Sequence, residues 1–480
     1  MRVPCRHRFP APAAPDELFR RLPPGRRFRF ATGAGAATVF GGEPVALVVG
    51  EGAAGPRRTA PAALAADAIR AALPRVGPVR SDGLFPGGAV GFVSYERGFA
   101  VEGLPPPPDR EHAIDLRFAV HDTFAVWHPA TDEVEVVSWG LSDGSFHEKT
   151  ALHRATALEE RLRHGVPVAG AAESSRPGSP PGSGPGSPPP APPLPPFLLR
   201  ASLSAAEHSR GVEAILEAIA RGDIYQGNLT VRFEVPWDRD PVALFERLLR
   251  ENPAPHAAFV EADDTTVISC SPERLLAVRG RDAETRPIKG TAPRDPTPAV
   301  DRALAESLLT SAKDRAELLM ITDLLRNDLG KVCEYGSVRV PRLRELESFP
   351  HVHHLVSTVR GRLRSGMDAL DALAAVFPGG SITGTPKRRA MEILRELEPE
   401  PRGVYTGTVG WIGFDRSCDF NVAIRTGWLR DGVFSFGAGG GIVADSDPAS
   451  EWEELGWKAR AFLLALGVEP DPAALRRSGE

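Results

Sequence analysis

Cysteine is scarce. The 480 residues hold four, Cys5, Cys270, Cys333 and Cys418, far apart and in no C-x-x-C pair. That excludes a disulfide framework and a zinc site built on paired thiolates. No run of about 18 apolar residues occurs, so no segment is expected to span a membrane. The opening MRVPCRHRFPAPAAPDELF lacks the apolar stretch of a secretory signal, and a cytoplasmic chain is expected. Charge of one sign is also lacking: 57 Lys and Arg stand against 62 Asp and Glu, a formal net charge of -5. Neither nucleic acid nor an anionic membrane is expected as a partner, and an anionic substrate must be held by a local site. No cysteine sits in a Gly-x-Cys-x-Gly turn, so no cysteine nucleophile of that kind is expected.

Proline, glycine and serine are concentrated. The stretch 166–197, with SSRPGSPPGSGPGSPPPAPPLPP, has no hydrophobic period and reads as a linker or surface loop. Before it, 1–165 alternates short β-like runs (Phe28–Phe30, Pro44–Val49, Gly88–Tyr95, Asp115–Trp127, Glu133–Trp139) with one helix, Pro61–Ala72. After it, 198–470 carries amphipathic helices at Ser204–Arg221, Pro241–Glu251, Ala299–Gly330, Met367–Ala375, Pro386–Leu397 and Pro448–Leu466. Strands are expected between them, at Asn228–Val235, His256–Glu261, Thr266–Ser271, Leu275–Arg279, Val404–Gly413, Asp419–Leu429 and Val433–Gly439. Residues 471–480 form a tail. The turn Leu429-Arg-Asp-Gly-Val433 marks a hairpin, so the fold class is α+β with at least partly antiparallel sheets.

Four strings can carry chemistry. Glu273 in Ser271-Pro-Glu-Arg274 and Lys289 in Arg286-Pro-Ile-Lys-Gly-Thr291 are 16 residues apart, a spacing that a two-strand hairpin closes into an acid–lysine pair. A surface salt bridge is the plainer reading of that spacing. Asp314 and Glu317 share a helix face, as do Glu451 and Glu454 after the Asp447-Pro448 helix start. Such acids offer oxygens to a hard cation, or simply form solvated faces and favourable helix-dipole charges. Phe377-Pro-Gly-Gly-Ser-Ile-Thr-Gly-Thr-Pro386 and Gly437-Ala-Gly-Gly-Gly-Ile442 are glycine-rich. The second lacks the G-x-G-x-x-G fingerprint and neither is a P-loop, yet both end beside helix starts whose N–H groups suit a carboxylate. Arg425 adds a guanidinium for an anionic small molecule.

Taken in order, Gly222-Asp-Ile-Tyr-Gln-Gly-Asn-Leu229, SPER, RPIKGT, AELLMITDLLRND, FPGGSITGTPKRRAM, GVYTGTVGW, NVAIRT and GAGGGIVADSDP closely resemble the chorismate-binding domain shared by anthranilate, aminodeoxychorismate, isochorismate and salicylate synthases. The front string GGAVGFVSYE resembles the N-terminal part of the anthranilate and aminodeoxychorismate members. The resemblance implies a composite two-subdomain β-sandwich of mostly antiparallel sheets with surrounding helices. It also implies Mg2+ held by Glu317, Glu451 and Glu454, with Asp314 beside them, clamping the ring carboxylate of chorismate. Gly290 and Thr291 are expected to help hold that carboxylate. Arg425, Tyr405 and Gly439, Gly440 and Gly441 are expected at the enolpyruvyl end, and His354, Ser381 and Thr383 along the ring.

Within the family, Pro-Ile-Lys-Gly-Thr resembles the aminodeoxychorismate synthases, since anthranilate synthases have Ala in place of that Lys. No counterpart is seen of the water-activating lysine of the water-using members, with Gly227 standing near its expected place, and no Leu-Leu-Glu-Ser motif is evident. The implied activity is component I of aminodeoxychorismate synthase: amination of chorismate to 4-amino-4-deoxychorismate, toward 4-aminobenzoate and folate. Lys289 is the implied covalent nucleophile at C2 and Glu273 the acid, with ammonia delivered by a separate glutamine amidotransferase subunit. An anthranilate synthase component I and a non-catalytic chorismate-binding scaffold are the alternatives. The chain departs from the family strings at Gly227 (often Val), Thr385 (Ala) and Leu455 (Thr).

Overall fold

The computed structural model describes residues 3–31, 37–50, 64–76, 84–105, 107, 115–165, 199–468 and 476–477. The expected linker, most of the tail and the first turn of the Pro61–Ala72 helix lie outside the described residues. Inside them, chain segments on both sides of the linker build the same two sheets, of 13 and 10 strands. In the first, Phe28–Ala31 pairs with His256–Ala262. In the second, Gly88–Val93 pairs with Thr408–Gly413. Every pairing is antiparallel except that of Arg200–Ala201 with Arg476–Arg477. The α+β expectation with mostly antiparallel sheets is what the molecule shows.

The sheets face each other across a core drawn from both. Phe28, Phe124 and Val260 of the first meet Val90, Phe92 and Trp411 of the second. The outer face of the first sheet buries Val231, Phe233 and Phe436 under the helices Glu148–His164, Pro241–Glu251 and Pro448–Leu466. The outer face of the second is covered by Ala66–Ala72, Ala312–Gly330 and Ala369–Val376. No described helix is long and apolar enough to cross a membrane.

Three expected elements are each cut in two, for a local reason. Asp115–Trp127 becomes Leu116–His121 in the second sheet and Thr123–His128 in the first. Between them Asp122 is buried, its carboxylate accepting from the Thr123 hydroxyl, the Leu141 N–H and Arg154. Asp419–Leu429 likewise becomes Cys418–Asn421 and Thr426–Arg430, the crossing made with Arg425 at φ 48°. Ala299–Gly330 is two helices, Pro298–Thr310 and Ala312–Gly330, because the Ser311 hydroxyl caps the second by accepting the Asp314 N–H. The Asp431-Gly432 turn has positive φ at both residues, as a two-residue hairpin requires.

The hairpin expected between Glu273 and Lys289 is present in part. Arg274–Arg279 and Asp282–Arg286 pair as a hairpin, but Lys289 lies on the following strand, Ile288–Pro293. That strand pairs with Val352–Arg362 instead. The latter is buried along most of its length and shows no alternation, which removes the signal that marks a half-buried strand.

Candidate active site

The site forms where one end of the first sheet meets the Ile288–Pro293 edge of the second, between the helices Ala312–Gly330 and Pro448–Leu466. Its floor is the strand Val433–Ile442. Alternation places Gly437, Gly439 and Gly441 on one face, and absent side chains are what let neighbours approach. A Cβ on Gly437 would lie 2.1 Å from the Tyr405 ring, and one on Gly441 would lie 2.5 Å from Gln226 Nε2 and 3.2 Å from Lys289 Nζ. Gly440 points the other way, its absent Cβ 2.8 Å from Glu451 Oε2. The strand thus carries Tyr405 at one end and Lys289 at the other.

Lys289 Nζ lies 3.7 Å from Glu317 Oε2, and both side chains are 13% exposed. Gly290 follows at φ 81°, with the Asp314 carboxylate 3.0 Å from its absent Cβ, so a side chain here would be strained and would strike the acid. Thr291 pairs with His354 across the sheet, hydroxyl to Nδ1 at 2.9 Å. Burial, with the nearby Arg425 charge, lowers His354 to about 4, so its ring stays neutral at pH 7.

Glu273 is 4% exposed and accepts a hydrogen bond from the Ser381 hydroxyl at 2.8 Å. Burial pushes its carboxyl up to about 7, against the opposing pull of Ser381, Lys289 and the Ile288 N–H. A carboxylic acid that keeps its proton near neutrality, beside a lysine, is equipped for general-acid work. Thr383 is placed otherwise: fully buried, its hydroxyl donates to the Gly379 carbonyl and holds the Ser381 turn rather than facing the cleft.

Arg425 forms no ion pair with any carboxylate among the described residues, and burial lowers its pKa. A half-buried guanidinium without a counter-ion among the described residues suits an anionic ligand group. Tyr405 is 6% exposed and its ring covers Gly437.

The acids come as two pairs on facing helices. Glu451 accepts from the Ser446 hydroxyl at 2.6 Å, and burial raises its pKa, the charge of Glu454 adding to the effect. Glu454 is bridged to Lys458 at 2.7 Å; burial pushes its pKa up, but Lys458, Lys313 and Lys289 outweigh that and lower it. Among the described residues no three His, Cys, Asp or Glu side chains are gathered into a finished metal cage. The donor set nevertheless fits a hard divalent cation in chemistry: carboxylates only, with lysine ammoniums now balancing them.

Two neighbours of the site are not among the expected site residues. Lys458 donates to the Gly439 carbonyl at 2.8 Å while bridging Glu454, tying that helix to the glycine strand. Gln226 is fully buried, and neither its Nε2 nor its Oε1 has a hydrogen-bond partner among the described residues. At the start of this strand the side chain that reaches the site is therefore an amide, one residue before Gly227.

Residues 30–464 match the family model described as chorismate binding enzyme. The chain belongs to the chorismate-binding enzyme family. Anthranilate synthase component 1 of Geobacillus stearothermophilus is 39% identical over 398 residues, 82% of this chain and 76% of that protein. Aminodeoxychorismate synthase component 1 of Bacillus subtilis is 38% identical over 395 residues, 82% and 79%. Among solved structures, anthranilate synthase component I from Streptococcus pneumoniae superposes with a TM-score of 0.73 at 28% identity, covering 91% of this chain and 92% of its own. The chain is thus a chorismate-utilising enzyme, and relatives bearing the two names match it at about the same identity.

Proposed function

We propose that this chorismate-binding enzyme aminates chorismate to 4-amino-4-deoxychorismate, as component I of an aminodeoxychorismate synthase. The observation that carries the reading is Lys289, at the end of the glycine floor with the protonatable Glu273 close enough to feel its charge. An alanine at 289, as in anthranilate synthases, has no nucleophile to offer there.

The chemistry balances in two displacements. The free-base amine of Lys289 bonds to C2, the two ring double bonds each shift one position, and the C4–O bond breaks. Glu273 gives its proton to the departing oxygen, which leaves as water, and the new ammonium returns one proton to the Glu273 carboxylate. Ammonia then bonds to C4, the double bonds shift back and the C2–N bond breaks, the proton shed by the C4 ammonium passing to the lysine nitrogen. Lys289 leaves as the free-base amine, so chorismate and ammonia yield the 4-amino ring and water. Arg425 and Tyr405 orient the enolpyruvyl end, Gly290 and Thr291 help hold the ring carboxylate, and neutral His354 lines the ring.

Glu317, Glu451 and Glu454, with Asp314, are the proposed holders of Mg2+. Bound there, the ion supplies charge neutralisation of the ring carboxylate and an electron-poor ring. Glu317→Gln is expected to raise the Mg2+ concentration needed for half-maximal activity by about tenfold or more. A titration of activity against Mg2+ checks this, and an unchanged midpoint contradicts the assignment.

Ammonia is proposed to come from a separate glutamine amidotransferase subunit, with free ammonium replacing it in vitro, and the product to feed 4-aminobenzoate and folate synthesis in the cytoplasm. Incubating the pure chain with chorismate, Mg2+ and 15N-ammonium should give a product carrying one 15N and the intact enolpyruvyl group by mass spectrometry. A labelled product that has lost the enolpyruvyl group favours the anthranilate reading.

A further inference from the structure

Among the described residues, three buried polar atoms on one strand pair lack partners: both amide atoms of Gln226 and the hydroxyl of Thr385. Gln226 and Thr385 are directly opposite in the antiparallel pairing of Gln226–Pro236 with Gly384–Thr385. Side chains so paired stand on one face, their Cβ atoms roughly 5 Å apart. The Gln226 amide and Lys289 Nζ also both border the space left by the missing side chain of Gly441. Leaving even one such atom unsatisfied is costly, so three in one cluster call for a function that uses them.

We propose that Gln226 and Thr385 form a positioning pair for Lys289: the Gln226 amide, turned about its last torsion, gives its N–H to the Thr385 hydroxyl and accepts an N–H of the Lys289 free base on its carbonyl oxygen. This rests on the covalent role of Lys289 argued above. All three orphan atoms are then satisfied at once. An amine held through one N–H has its lone pair aimed, whereas a free lysine chain rotates about four bonds. The amide carbonyl can accept this N–H without itself ionising. Thr385 stands where the family strings have Ala, so the second half of the pair is a feature of this chain.

The test follows the adduct itself. The enzyme is mixed with chorismate and Mg2+ without ammonium, and the lysine adduct is timed by intact-protein mass spectrometry. Thr385→Val, which keeps the shape and removes the hydroxyl, should slow adduct formation about tenfold, the loss of one aligning hydrogen bond, with the chorismate KM and melting temperature held. Thr385→Ser should restore the rate. Gln226→Leu should slow the step at least as much, and the double variant should be no slower than Gln226→Leu alone. A parent-like adduct rate in either Thr385→Val or Gln226→Leu overturns the pair while leaving the covalent role standing. Absence of any adduct in the parent enzyme, with full turnover in a Lys289→Ala variant, overturns the covalent role and the pair together.

Discussion

Replacing Lys289 by alanine is expected to reduce ammonia-dependent chorismate turnover by roughly 10³-fold or more, with the folded state preserved. The side chain sits at the rim of the cleft, 13% exposed and packed beside Gly441 and Glu317, so its removal opens no apolar cavity and strands no large surface. What it removes is the group that divides one difficult displacement at C4 into two easier ones. Because the proposed holders of the ligand's carboxylates are other groups, chorismate binding should change far less than kcat. Steady-state kinetics with an unfolding check tests this; full activity in the variant sinks the covalent step.

Glu273→Gln is expected to lower kcat by about 10²- to 10⁴-fold, the usual worth of a positioned general acid. The amide can still accept from the Ser381 hydroxyl, so the turn Gly380–Ile382 should stay in place. The sign of the pH dependence follows from the direction of the shift. Burial raises the carboxyl to about 7, and the acid must hold its proton to help the hydroxyl depart. Loss of that proton should therefore bend the kcat/KM profile of the parent downward near that value, whatever slope the free-base demand on Lys289 adds, and the Gln variant should lack the bend and keep a low rate. The same bend in the Gln variant contradicts the assignment of Glu273 as the acid.

The strings that line the candidate site were readable because their residue types are restricted by chemistry. Glycine at 437, 439, 440 and 441 is required wherever rings, amines and carboxylates crowd a strand, and the paired acids announce themselves by helical spacing. Helices were readable where caps are explicit, as at Asp240-Pro241 and Asp447-Pro448, whose structural bounds match the sequence bounds. What escaped was set by tertiary surroundings. Val352–Arg362 is buried on both faces with His353, His354, Ser357 and Thr358 inside it, so no alternation betrays it. Arg339–Ser348 is charged and exposed, and becomes a strand only by pairing with that hidden neighbour. The breaks at Asp122 and Ser311 rest on one buried carboxylate and one capping hydroxyl. Gln226 could be noticed only once its amide was seen without partners, because a glutamine in a strand carries no mark of what its side chain will meet.

The central claim is amination without aromatisation, and the measurement that tests it most directly is the pyruvate released per chorismate consumed. The purified chain with chorismate, Mg2+ and ammonium should consume chorismate and release no pyruvate. Pyruvate should then appear, together with 4-aminobenzoate, only when an aminodeoxychorismate lyase is added. Pyruvate released in step with chorismate loss, with anthranilate as the ring product, would contradict the role assigned to Lys289 and place this enzyme with the anthranilate synthases.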